Sequence, residues 1–488
     1  MTSPFVMVIF GATGDLTRAK LMPSLFGLFK QGLLPSDFYM FGFSRRSISD
    51  NDFHGLFPAL IDDPLWNDFS RHVKYQEGTF EDPQGYVELI KKLEAIDEEM
   101  GACVTRLFYL ATPPDNYEPI LKNLQSTKLA EGCGSHFVPL SGTTRDKQQG
   151  NKWTRVIIEK PFGKDLETAK HLDQELSEIF EERQIFRVDH YLGKENVQNM
   201  LAFRFANGIF EPVWNNKHID HIQVTISEKN GIGTRGKFYD GVGNLRDVAQ
   251  NHLLQLVAAV TMEQPKSFMK EDVRDARAKA IQSIECIESE RVLQHVIRGQ
   301  YHSYHDEKNV DQSSMTETFV AMKFFMDSER MKGIPIYARA GKKMEKDIVE
   351  ISIVFTQTCH VLFKEYGCPE IGNVITIRIQ PDEGISMRFI AKKPGNKLAL
   401  QPVEMKFTYQ EGFGNKGLDA YEKVLTDILS GDQMLFNRTD ELMSSWKFIT
   451  NILHGWHQNN PELYSYLDGS MGPKEATALI ENDGRKWL

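Results

Sequence analysis

The sequence predicts two domains of different class: a doubly wound, Rossmann-like parallel α/β sheet, then a larger α+β domain with a mainly antiparallel sheet and flanking helices. Three observations carry this. Strand-like and helix-like segments alternate through the first part, as crossover connections between parallel strands require. A glycine pair, Gly11 and Gly14, follows the first apolar run directly. From about Lys217 onward, segments alternate apolar and polar residues and follow one another with little helix between, the pattern of antiparallel strands with one solvated face. The change falls near Gln184 to Arg187, giving domains 1–186 and 187–488.

In chain order, "FVMVIF" (Phe5 to Phe10) is a short continuous apolar run ending at Gly11, which predicts a strand buried on both faces. "LMPSLFGLFKQG" has helical spacing with Gly32 as its stop. "DFYMFGFS" predicts a second strand, "GYVELIKKLEAIDEEM" an amphipathic helix, and "TRLFYLATPP" a strand closed by Pro113-Pro114. "TRVIIEKPFG" and "LETAKHLDQELSEIF" add another strand and helix. In the second domain "HIDHIQVTISE", "TETFVAMKFFM", "DIVEISIVF", "NVITIRIQ", "GISMRFIAKK" and "VEMKFTYQ" predict strands. Long helices are predicted over "NLRDVAQNHLLQLVAAVTM" and over the whole of "KEDVRDARAKAIQSIECIESERVLQHVI". "LDAYEKVLTDIL" and "DELMSSWKFITNILHGW" predict two more.

The net charge of −10 argues against a non-specific nucleic-acid role. No stretch reaches the apolar length of a membrane span, and "MTSPFVMVIFGATG" lacks the basic start of a secretory signal. The five cysteines include no C-x-x-C pair, and an odd count makes a poor disulfide framework. A reduced, cytoplasmic setting is therefore expected.

Glycines between the first strand and first helix let the backbone approach a pyrophosphate, where helix N–H groups and dipole favour negative charge. The motif is short, G-x-x-G, with Thr17 at the third position of the usual fingerprint. The second strand sharpens it. An NAD site tends to carry an acid there for the ribose 2′-hydroxyl, whereas this strand ends Ser44-Arg45-Arg46. A guanidinium fork suits a 2′-phosphate, so NADP is the expected cofactor.

"RVDHYLGK" (Arg187 to Lys194) places an acid beside an imidazole. In extended chain successive side chains point to opposite faces, so Asp189 and His190 are not expected to pair. His190, Tyr191 and Lys194, at the entry to a helix, offer three donors suited to a phosphate dianion. A partner for Asp189 must come from elsewhere. His252 lies four residues after Val248 and four before Leu256, on an apolar stripe. A histidine there is more often a satisfied core residue, yet a desolvated imidazole beside a carboxylate is also how a general base is built, and periodicity does not decide between them.

Together "GATGDLTRAKLMP", "EKPFG", "RVDHYLGKENVQNMLAFRFANGIFEPVWN", "GNLRDVAQNHLLQL", "RAGKKM", "LDAYEKVLTDILSGDQMLFNRTDELMSSWKFI" and "GSMGPKEA" resemble the glucose-6-phosphate dehydrogenase family, nearly end to end. The resemblance implies oxidation of glucose 6-phosphate at C1 by NADP. It implies that His252 is the general base and that Asp189 orients it. It assigns His190, Tyr191 and Lys194 to the phosphate, Glu228, Asp247 and Lys342 to the sugar, and Lys160 to a place between substrate and cofactor. Gly11, Thr13, Gly14, Asp15, Leu16, Lys20 and Arg45 fall at cofactor positions. No metal is implied, and a homodimer or dimer of dimers is. The alternative is another sugar oxidoreductase of the inositol-dehydrogenase-like group. Three departures stand out: Glu345 and Asp347 after "GKK", Lys229-Asn230 beside Glu228, and "YSYLDGSMGP" without the usual Pro and Trp.

Overall fold

The computed structural model describes residues 3–132, 154–414 and 417–488. These divide into two compact units. The first runs to Gly163, resumes over Glu167–Gly193, and takes in Leu418–Thr439. The second holds Lys164–Leu166, Lys194–Gly417 and Asp440–Leu488. The first unit thus continues past residue 186 to the end of the "DHYLG" turn and takes back a helix from late in the chain.

The first unit is built on six strands: β1 (Phe5–Phe10), β2 (Phe38–Ser44), β3 (Val73–Glu77), β4 (Thr105–Leu110), β5 (Thr154–Glu159) and β6 (Ile185–Val188). They pair in parallel in the order β3-β2-β1-β4-β5-β6. Every residue of β1 is buried, as its unbroken apolar run requires. The strand order reverses between β1 and β4, and in such sheets ligands bind beyond the carboxyl ends at that reversal. Helix Pro83–Met100 ends at Gly101 in the left-handed conformation. Helix Ala420–Ser430 carries a capping box at Asp419 and packs Val424, Leu425 and Ile428 into the core beside β1. The strand β3, "VKYQE", carries too weak an apolar pattern to be legible in the sequence.

The second unit holds a nine-stranded sheet. Its strands are β7 (Ile219–Ser227), β8 (Val296–Tyr301), β9 (Phe319–Phe324), β10 (Ile336–Gly341), β11 (Ile348–Phe355), β12 (Val374–Gln380), β13 (Gly384–Lys392), β14 (Leu400–Thr408) and β15 (Leu463–Tyr466). Their order is β14-β13-β12-β11-β7-β10-β9-β8-β15. Pairing is antiparallel except for β7 with β10 and β8 with β15. The fold class is as expected in both units.

Two expectations need correction. The long helix over "KEDVRDARAKAIQSIECIESERVLQHVI" stops at Gln282, and its last residues become β8. Pairing with β9 on one side and β15 on the other overrides the local helical spacing. The cysteines do form disulfides. Cys359 and Cys368 are bonded with Cα atoms 5.9 Å apart, because helix His360–Phe363 and the turn after it fold the β11–β12 connection back on itself. Cys103 is also disulfide-bonded, and Cys286 is free and exposed. Cys133 lies outside the described residues. A rule that looks for C-x-x-C spacing does not see a bridge across nine positions.

Candidate active site

In the first unit the glycine loop is shaped by close approach. Gly11 has φ +84°, and a Cβ there would lie 2.5 Å from the carbonyl oxygen of Ala111, which follows β4. The loop after β1 is therefore pressed against the loop after β4, at the strand-order reversal. Gly11 and Ala12 donate N–H to the Phe43 carbonyl, and Gly14 donates to Gly11. Thr13 Oγ1 lies 3.1 Å from Ser44 Oγ, linking this loop to the end of β2. Leu16 packs on the core, while Asp15 and Lys20 are exposed. Asp15 pairs with Arg18 at 2.6 Å, a solvated contact of little worth for stability.

At the end of β2 the Tyr75 hydroxyl donates to the carbonyls of Ser44 (2.9 Å) and Arg46 (2.6 Å). This pins the backbone around Arg45 and leaves both arginine side chains exposed. No carboxylate occupies the strand end "FGFSRRS". A glycine that cannot carry a Cβ and a pinned, basic strand end together fit a dinucleotide bearing a 2′-phosphate.

After β5 the Lys160-Pro161 bond is cis. After β6 the chain turns sharply, and Asp189 makes that turn. Its Oδ1 accepts the Tyr191 N–H at 3.0 Å, and its carbonyl accepts the Leu192 N–H at 3.0 Å. Asp189 is 2% exposed. The His190 ring lies parallel to the ring of Tyr421, with centroids 6.1 Å apart. A Cβ at Gly193 would meet the Ala420 carbonyl at 2.9 Å, so the turn sits tightly on helix Ala420–Ser430. Arg187 in β6 is buried among Asp173 (2.6 Å), Glu182 (2.9 Å) and Thr439 Oγ1 (2.9 Å).

In the second unit β7 and β10 run in parallel and in register, Ser227 opposite Gly341. The next residue of each is thereby set side by side: Glu228 and Lys342. The Lys342 ammonium lies 2.5 Å from Glu228 and 3.2 Å from Asp247, over the ring of Tyr239. Three predicted sugar-binding residues from three separate segments thus form one cluster.

Asp247 and His252 both lie in a π-helical stretch, Leu245–Leu253, that continues as helix Leu254–Thr261. Val248, His252 and Leu256 are all buried, as their spacing in fours led one to expect. Bonding from i to i+5 brings residues five apart, as Asp247 and His252 are, roughly one above the other. His252 is 3% exposed. Glu317 accepts the Leu245 N–H with its carboxylate and the Asn244 N–H with its carbonyl, both at the start of this stretch. Burial pushes the Glu317 carboxyl above its usual range. Lys194 opens helix Glu195–Ala206 and bonds the side chain of Gln380. From the same helix Arg204 donates to the carbonyls of Val260 (3.0 Å) and Met262 (2.9 Å), tying it to the end of the His252 helix.

The three departures are structural supports. Asp347 accepts the Lys229 N–H at 2.7 Å, and Asn230 accepts from the Lys343 N–H. Tyr466, in "YSYLDGSMGP", donates its hydroxyl to the Lys342 carbonyl at 2.6 Å, and Ser470 accepts from the Glu345 N–H. Tyr239, Glu317 and Tyr466 went unnoticed in the sequence because each acts through a partner distant along the chain.

Residues 8–199 match the family model described as glucose-6-phosphate dehydrogenase, NAD binding domain, and residues 201–488 match its C-terminal domain. The glucose-6-phosphate 1-dehydrogenase of Chlamydia pneumoniae is 41% identical, covering 99% of this chain and 96% of that protein. A solved glucose-6-phosphate dehydrogenase in complex with its substrate superposes with a TM-score of 0.87 at 34% identity, covering 100% of this chain and 99% of the other. The glucose-6-phosphate 1-dehydrogenase structure from Mycobacterium avium gives 0.83 at 30% identity, covering 99% and 98%. With both domain models matched in order along the chain, this protein belongs to the glucose-6-phosphate dehydrogenase family.

Proposed function

We propose that this chain oxidises D-glucose 6-phosphate at C1 to 6-phospho-D-glucono-1,5-lactone with NADP as hydride acceptor, the first step of the oxidative pentose phosphate pathway. The observation that carries the proposal is the family match across both domains. That match also favours it over an inositol-dehydrogenase-like alternative. The glycine loop Gly11, Thr13, Gly14, Asp15 and Leu16, with Lys20 and Arg45, would hold the cofactor. NADP supplies the electron sink, so the protein's part is position and a base.

His252 takes the proton of the C1 hydroxyl as the C1–H bond breaks. Asp189 orients that imidazole and stabilises its charged form, as a carboxylate does for a catalytic histidine. His190, Tyr191 and Lys194 hold the phosphate. Glu228 and Asp247 accept from sugar hydroxyls, with Lys342 between them. Lys160 stands between sugar and cofactor. The Lys342 charge is balanced by the Glu228 and Asp247 carboxylates, which keeps all three polar groups held where sugar hydroxyls would bind.

Among the described residues no helix is long and apolar enough to cross a membrane. A cytoplasmic location remains part of the proposal, although the disulfides at Cys359–Cys368 and Cys103 withdraw the support that the cysteine count was expected to give it. A homodimer, or a dimer of dimers, completes the proposal. Steady-state kinetics with glucose 6-phosphate and free glucose, each against NADP and NAD, tests the reaction. Rapid NADPH formation from the phosphorylated sugar and little from glucose is expected. Equal rates with both sugars would overturn the substrate assignment.

A further inference from the structure

Glu159 stands next to Lys160 at the carboxyl end of β5, and its surroundings single it out. Tyr109, on β4, donates its hydroxyl to Glu159 Oε1 at 2.6 Å. Tyr421, on helix Ala420–Ser430, donates to the same oxygen at 3.4 Å. Tyr117, on helix Tyr117–Ser126, donates to the Glu159 carbonyl at 3.0 Å. One residue thereby ties three elements to the strand end that carries Lys160. Tyr421 in turn lies parallel to the His190 ring, the two planes only 15° apart.

The charged groups facing the carboxyl are Lys160, the next residue along the chain, and Asp189, in the turn after β6. Burial is the largest influence and, with Asp189, raises the carboxyl to about 7. The Tyr109 and Tyr421 hydroxyls and the Lys160 charge pull the other way. The three tyrosines are held well above their ordinary range, chiefly by burial and then by Glu159 itself, so they remain donors.

We propose that Glu159 is a positioning residue for the substrate phosphate: its carboxylate fixes Tyr421, which sets the plane of His190, and its charge steadies Lys160. The proposal rests on the assignment of His190 to the phosphate. The ionised form is the stronger acceptor for the two hydroxyls. Substrate affinity should therefore improve as pH rises through neutrality, beyond the change from the substrate's own phosphate, which ionises near about 6.

The test is the Michaelis constant for glucose 6-phosphate from pH 6 to 9 in the full-length enzyme and in Glu159→Gln, Tyr421→Phe and His190→Ala. Loss of a charge-assisted bond predicts that Glu159→Gln raises KM by about five- to tenfold, with kcat within about twofold. The inflection near neutrality should be absent in that variant. Tyr421→Phe, which keeps the ring and loses the hydroxyl, should raise KM in the same direction, and the double variant should not be additive. If Glu159→Gln does not fold, Tyr421→Phe decides: a raised KM supports the proposal and an unchanged KM overturns it. If His190→Ala raises KM while Glu159→Gln leaves KM and its pH profile intact, even with a lowered Tm, the positioning role is wrong and the phosphate assignment stands. If His190→Ala leaves KM unchanged, the phosphate assignment itself falls, and this inference with it.

Discussion

At the scale of single residues, the proposed chemistry concentrates on few side chains, and each has a distinct signature. General-base catalysis contributes typically ~10²–10⁴-fold, so His252→Asn should lower kcat by about that factor while the equilibrium Kd for glucose 6-phosphate barely moves. Single-turnover kinetics with a separate binding titration checks this, and near-full turnover would remove His252 from the mechanism. Arg45→Ala should weaken NADP far more than NAD, because only NADP carries the 2′-phosphate its fork suits. Equal loss of both cofactors would show that Arg45 supports the loop and does not select the cofactor. Arg187 makes the opposite kind of prediction. It sits 1% exposed among Asp173, Glu182 and Thr439. Arg187→Ala leaves these acids without their cation, which costs about 3–5 kcal/mol when a buried pair is broken. A lower urea midpoint is expected, read by far-UV circular dichroism.

At the scale of elements, register and helix type decide which candidate residues meet. Glu228 and Lys342 meet because two parallel strands end level. Asp247 and His252 both lie in Leu245–Leu253, which is wound as a π-helix. The glycine loop follows the same logic. Gly11→Ala puts a methyl 2.5 Å from the Ala111 carbonyl at φ +84°, so the β1 and β4 loops must part. NADP affinity should fall by at least an order of magnitude, about 1.4 kcal/mol or more, and isothermal titration measures it. This scale also marks where sequence reasoning stops. Continuous apolar runs such as "FVMVIF", and alternating ones such as "NVITIRIQ", declare their strands because burial on two faces or one leaves a direct trace in composition. β8 does not, since "VLQHVIRGQY" is helical at its start and becomes a strand only through its neighbours β9 and β15. Candidate site residues were legible where a motif kept them adjacent, as in "DHYLGK". Glu159, Glu317 and Tyr466 were not, because their meaning lies in partners such as Tyr421, Leu245 and Lys342, far away in the chain.

At the scale of the whole molecule, the second unit presents an apolar surface that a monomer has little reason to expose. β14 is the last strand of the nine-stranded sheet. Val403, Met405 and Phe407 alternate along it, so they share one face, and all three are exposed. Phe413, just beyond the strand, is 69% exposed, and Val361 and Leu362, inside the Cys359–Cys368 loop, are more exposed still. Pro402, Glu404 and Lys406 blunt the strand's free edge against open-ended pairing, while Phe407 packs on Phe413 with ring centroids 5.9 Å apart, and exposed apolar side chains that touch in this way suit an interface. The homodimer proposed above would cover this surface: a two-fold symmetric contact with a second copy closes on itself and leaves no further edge to extend. Met405→Asp combined with Phe413→Ser should place two charges and two hydroxyls in that contact. Light scattering should then report one chain where the unmodified protein reports two or four. Because the substitutions lie on the sheet edge, away from Glu228, Lys342 and His252 in sequence and strand order, substrate KM should change less than about twofold at protein concentrations where the variant still folds. An unmodified protein that runs as a single chain at micromolar concentration would show that this surface has another occupant.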